Sequence, residues 1–122
     1  MASELKAVGS HCWRTVSDGR NSFEVQIRLP SYDDLLHDYV WDSQSAFADL
    51  PDRMQIERER IDWKLDMVTG WRDVIGEDGL SVPFTRDDFH LLIVAHPRAM
   101  LSILSAVDDL SNSDLSDADR KN

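Results

Sequence analysis

Between Phe23 and Leu29 the chain alternates without a break, with Phe23, Val25, Ile27 and Leu29 on one side and Glu24, Gln26 and Arg28 on the other. A period of two is the signature of a β-strand with one buried face. Pro30 ends it, because proline has no N–H to give to a ladder. Upstream, Trp13 to Val16 reads as a short strand and Ser17 to Ser22 (SDGRNS) as a cluster of turn residues. Together they predict a hairpin with a longer loop. An isolated two-stranded hairpin is marginal in water. The apolar side of this strand must therefore pack on helices or on another copy of the chain.

The helices that follow carry local start and stop signals. Ser31 is placed as an N-cap, with Asp33 and Asp34 in the first turn, where carboxylates suit the positive end of the helix dipole. Leu35, Leu36, Tyr39, Val40 and Trp41 are expected to point inward from this helix, which fades over Ser43 to Asp49. Pro51 closes the linker, and Asp52 is the expected N-cap of a long second helix. Its first half, DRMQIERERI, alternates in charge and predicts a solvated face. Its second half carries two apolar stripes, Ile61, Leu65 and Val68 beside Trp63, Met67 and Trp71, continued by Val74 and Ile75. Gly70 would lie inside that helix at a cost of about 1 kcal/mol relative to alanine.

Gly76 to Gly79 (GEDG) is a turn, and Leu80 to Phe84 is a short extended piece. Thr85 then opens a helix as N-cap, with Asp88 placed for the reciprocal half of a capping box and Phe84 and Phe89 for a hydrophobic staple. This helix carries Phe89, Leu92 and Ile93 and stops at His96. Pro97 fits the first position of a last helix, whose apolar face is Met100, Leu101, Leu104 and Val107, with Ile103 beside it. The expected architecture is a helix-dominated α+β domain, an N-terminal β-hairpin packed on about four helices. Residues 1–12 read as a flexible arm, 13–110 as one globular domain, and 111–122 as a disordered acidic tail or linker.

Composition narrows the function. A chain of 122 residues suffices for one domain with a single core. A formal net charge of -10 repels phosphate backbones and anionic membranes, so neither is an expected partner. Cys12 is the sole cysteine and excludes an intrachain disulfide. The first residues lack a basic segment followed by an apolar one, and no apolar run approaches the roughly 20 residues needed to span a bilayer. Cytoplasmic residence is expected.

Catalytic and metal-binding patterns fail on inspection. His11, Cys12, His37, His90 and His96 show no zinc-ligand spacing. His11 and Cys12 are neighbours, which on a strand point to opposite faces rather than form a nucleophile–base pair. Counted from Asp73, the GEDG region puts Ile75, Asp78 and Phe84 where a calcium loop needs an oxygen ligand, glycine and glutamate. The pairs Asp33/Asp34 and Asp87/Asp88 fall at helix starts, where capping accounts for them; Asp108/Asp109 is the third pair. There is no phosphate-binding glycine loop and no G-x-S-x-G. No catalytic residue, cofactor or metal is expected, and an acid/base hydrolase is the weakest reading. Trp63, Met67 and Trp71, then Phe89, Ile93 and Met100, are the candidate partner-binding residues, because Trp and Met are enriched at hot spots and adaptable grooves.

The central motifs also come in a familiar order: Met67-Val68-Thr69-Gly70-Trp71-Arg72-Asp73-Val74, then Glu77-Asp78-Gly79, then Val82-Pro83-Phe84-Thr85, then Asp88-Phe89, then a proline-initiated helix. This series resembles the tail assembly chaperones of long-tailed bacteriophages and prophages, as does the upstream FEVQIRLPSYDD. The resemblance covers roughly Phe23 to Val107 and is strongest from Ile61; the segment around Trp13 departs from the pattern. It implies a non-enzymatic protein of the bacterial cytoplasm, absent from the mature virion. Such a protein binds the tape measure protein, helps tail tube protein assemble around it, and forms homo-oligomers; some are extended at the C-terminus by frameshifting. The alternative is a small virion structural or head–tail connector protein.

Overall fold

Phe23, Val25 and Ile27 are buried along one side of a strand, as their alternation requires. The computed structural model describes residues 11–121, with side chains through residue 111. Its elements are β1 (His11–Ser17), β2 (Ser22–Arg28), α1 (Tyr32–Phe47), α2 (Leu50–Leu65), β3 (Val68–Arg72), α3 (Arg86–Ala95) and α4 (Pro97–Lys121). The fold is α+β, with a three-stranded antiparallel sheet ordered β1-β2-β3 and four helices. His11 and Cys12 belong to β1 rather than to an arm; residues 1–10 of the expected arm lie outside the described residues.

The hairpin closes through Asp18, whose side chain accepts from the backbone N–H groups of Arg20 and Asn21, with Gly19 at φ +98°. The third strand is a correction. The segment expected to continue α2 as a helix through Trp71 instead turns after Leu65 and pairs with β2, Val25 opposite Trp71 and Ile27 opposite Val68. Between Gln26 and Ile27 the register shifts, which leaves Thr69 as an extra residue on β3, a β-bulge. The bulge places Val68 and Trp71, three apart in sequence, on the same buried face, so a strand imitates helical spacing. Gly70 is a strand residue opposite Gln26.

The core lies between the inner face of this sheet and α3 and α4. Val16, Phe23, Val25, Ile27, Met67, Val68 and Trp71 meet Phe89, Ile93, Ala99, Ile103, Val107 and Leu110. On α4 the buried row is Ala99, Ile103, Ala106, Val107 and Leu110; Leu101, expected inside, is exposed, while Met100 and Leu104 pack at the margin. Thr85 caps α3 by accepting from Asp88 N–H (3.0 Å), and the Phe84 and Phe89 rings lie 5.8 Å apart as the staple predicts. Asp73 (φ 67°) and Gly79 (φ 78°) take left-handed backbone around the GEDG turn, which closes a small hairpin with Val82 N–H on Val74 O. Pro97 begins α4 at a bend of 114° from α3. The α4 backbone stays helical to Lys121, through the stretch read as a tail; side chains from 112 on lie outside the described residues. No single helix among the described residues is long and apolar enough to cross a membrane.

Candidate functional site

α1 is amphipathic the wrong way round for a core helix. Ser31 caps it by accepting from Asp34 N–H (3.2 Å), while Asp34 reaches back to Ser31 N–H (2.7 Å), completing a capping box. From there Asp34, Asp38, Trp41 and Ser45 line the side that faces α2. The N-cap of α2 is Asp49 rather than Asp52, with Pro51 inside the first turn. It presents Arg53, Arg60, Trp63 and Lys64 to α1. Arg60 donates to Asp38 (2.7 Å) and Asp42 (3.3 Å), Lys64 lies 3.5 Å from Asp38, and Arg53 donates to the carbonyls of Ser45 and Ala48 (3.0 Å each). The interhelical seam is therefore charged and hydrogen-bonded rather than apolar.

Asp34 is the keystone of that seam. Its carboxylate accepts from Arg28 on β2, from Ser31 and from the Trp63 indole Nε1 (2.9 Å). Burial pushes its pKa up, but these hydrogen bonds outweigh burial and hold it at about 2. Burial also opposes ionisation at Asp38, where Arg60 and Lys64 win and the pKa again falls. Arg60, hydrogen-bonded to Asp38, is shifted up. Trp63 stacks on His37 (ring centroids 4.2 Å) and meets Trp41 edge-on (5.6 Å).

The opposite side of α1 faces solvent, and it is the apolar side. Tyr32 is 77% exposed, Leu35 42%, Leu36 44%, Tyr39 73%, Val40 41% and Phe47 90%. These positions follow i, i+3, i+4, i+7, i+8 and i+15, so they share one side of the helix, with Ser43 on that side between Val40 and Phe47. Expected to point inward, Leu35, Leu36, Tyr39 and Val40 point outward. The reason is electrostatic: α2 offers cations, so α1 turns its carboxylates toward them. Leu50 (67%) and Met54 (55%) at the start of α2 are exposed as well.

The six residues named from the sequence divide differently. Met67, Trp71, Phe89 and Ile93 are buried in the core, and Trp71 Nε1 donates to Val82 O (2.7 Å). The helical stripe Trp63/Met67/Trp71 does not exist, because Trp63 lies in the α1–α2 seam and Trp71 in β3. Ile93 and Met100 do come together, lining a groove of about 510 Å³ with Met54, Ile61, Val94 and Pro97. The surface that sequence reasoning missed is the α1 stripe. Its signal was available as two complementary charge rows, Asp34/Asp38/Asp42 on one helix and Arg53/Arg60/Lys64 on the next, which predict which sides meet.

Chemically, this surface can hold another protein by burial of apolar side chains. Acid/base hydrolysis needs two carboxyls with divergent pKa values across a cleft, whereas Asp34 and Asp38 are both shifted down and engaged by cations. Among the described residues no group of three or more His, Cys, Asp and Glu side chains is arranged to hold a metal ion. In comparisons with known proteins, the chain matches no protein-family model, no curated protein and no solved structure.

Proposed function

We propose that this chain is a tail assembly chaperone of a long-tailed phage or prophage, a non-enzymatic protein that binds tape measure protein and assists assembly of the tail tube around it. The observation that carries this reading is the solvent-facing apolar stripe of α1, from Tyr32 to Phe47. A contiguous apolar patch on an otherwise acidic surface marks a protein-binding site. Anchors at helical spacing suit a helical client, laid face to face as in helix-in-groove recognition. The motif series from Met67 to Phe89 supports the family assignment. In this reading the motifs build the body, which holds α2 and through it the client-binding helix.

The test is co-expression with the tape measure protein encoded beside it. The expected result is that the client becomes soluble and co-purifies with this chain; a client that stays insoluble and unbound refutes the proposal. The same stripe also suits permanent burial in a particle, as in a head–tail connector. Electron microscopy of mature particles separates the two, since a chaperone is absent from them and a connector is present.

A further inference from the structure

The border of the α1 stripe carries one sign of charge. α1 contains no lysine or arginine. At about 100° per residue, Asp33 and Asp42 flank the apolar stripe on its two sides, and Asp49 and Asp52 lie just beyond its C-terminal end. Asp33, Asp49 and Asp52 are exposed, and the Asp42 side chain is 73% exposed even beside Arg60. The nearby cations are engaged on the α2 side: Arg53 is bonded to the Ser45 and Ala48 carbonyls, Arg60 to Asp38 with a longer contact to Asp42 (3.3 Å), and Lys64 to Asp108 (2.8 Å), which leaves Asp33, Asp49 and Asp52 as the exposed carboxylates without a cation beside them in these contacts.

We infer that the α1 face takes an amphipathic helix whose apolar stripe is bordered by lysine or arginine side chains. The inference rests on α1 being the client surface. Basic borders bring cations to Asp33 and Asp42, and complementary charge sets partner choice and register. A second copy of this chain fits less well. In a twofold pairing the same patch meets itself, which sets the carboxylate borders of one copy against those of the other. The area is adequate for a protein helix. Taking about 200 Å² for a large side chain, the exposed parts of the six stripe residues come to roughly 700 Å², near the ~800 Å² per partner of a standard interface. The 16 residues of α1 extend about 24 Å, so the matching ligand segment is about four turns long.

The probes are two labelled four-turn peptides with the same leucine stripe, one bordered by lysine and the other by glutamate, with binding read by fluorescence anisotropy. The lysine-bordered peptide is expected to bind at least about tenfold more tightly at low ionic strength, with the gap closing as salt screens the charges. Asp33→Asn/Asp42→Asn should narrow the gap to about threefold or less. Leu36→Ser/Tyr39→Ser should abolish binding of both peptides, while Leu91→Ser on α3 leaves it unchanged; circular dichroism checks that each variant is folded. Equal affinity for the two peptides overturns the inference. So does binding that survives Leu36→Ser/Tyr39→Ser, or a dimer that is lost in that variant while neither peptide binds the wild type. Solubilisation of the tape measure protein is scored separately. If it occurs while the peptides bind alike, the inference falls and the chaperone reading stands. A lysine preference without it upholds the inference for another helical client and removes the chaperone reading.

Discussion

The sheet with α3 and α4, and the hairpin of α1 and α2, bury different kinds of group. In the first, strand alternation and helical rows converge on one apolar core, from Val16 to Leu110. In the second, the buried residues of α1 are Asp34 and Ser45, and α2 gives the core its last residue, Leu65, as a buried side chain with Ile61 partly buried against it. Apolar burial is non-directional and depends little on pH, whereas a seam of ion pairs depends on protonation, salt and geometry. The body is thus the stable part and the hairpin the conditional one. Holding α1 by its polar side is also what leaves its apolar side uncovered. Binding segments are drawn from such weakly packed parts of a fold.

The comparison predicts a descending series of effects. Phe89→Ala removes an α3 ring buried near Trp71 and Phe84 and should cost about 3–5 kcal/mol in urea unfolding, enough to endanger a domain of ordinary stability. Asp34→Ala leaves Arg28, Ser31 and Trp63 without their shared acceptor. It should cost about 2–3 kcal/mol, seen first as a change in Trp63 fluorescence. A smaller effect there than at Thr85→Ala would mean that the seam contributes little.

The same carboxylate sets a pH response. Its pKa is depressed in the folded state, to about 2 from 3.8, so its stabilisation is complete above the unfolded value and is lost as pH falls from about 4 through 2. Acid titration should therefore loosen α1 from α2 in that window, and Asp34→Ala should lack this transition. Thr85→Ala, which removes a cap on the body side, should cost about 1 kcal/mol without pH dependence in the same window. The smallest stability change is expected at the stripe itself, where Leu36→Ser/Tyr39→Ser should stay within about 0.5 kcal/mol of wild type.

Much of the body is legible from local pattern. The β2 alternation, the hairpin loop, the cap at Thr85 with its Phe84/Phe89 staple and the proline start of α4 each depend on residues a few positions apart. β3 is not legible in that way. Its bulge at Thr69 separates the inward residues Val68 and Trp71 by three, the same interval that a helix gives, and only pairing with β2 distinguishes the two. The orientation of α1 fails for another reason. An apolar stripe is ordinarily a core face, and reversing that expectation requires weighing Asp34, Asp38 and Asp42 against the cations of a helix that begins later in the chain. Grouping Trp63, Met67 and Trp71 as one face follows from reading β3 as helix, while Phe89 and Ile93 sit on a correctly read α3 whose apolar row is core, so four of the six candidates are buried and the exposed apolar side is that of α1.

The central claim is that the outward side of α1 binds a client and holds nothing in place. Its most direct test is the amount of tape measure protein that co-purifies with Leu36→Ser/Tyr39→Ser compared with wild type, both at matched expression. The account predicts that the variant stays soluble and folded yet loses the client by at least about tenfold, as truncation of clustered anchors implies. Full recovery of the client with the variant would contradict it.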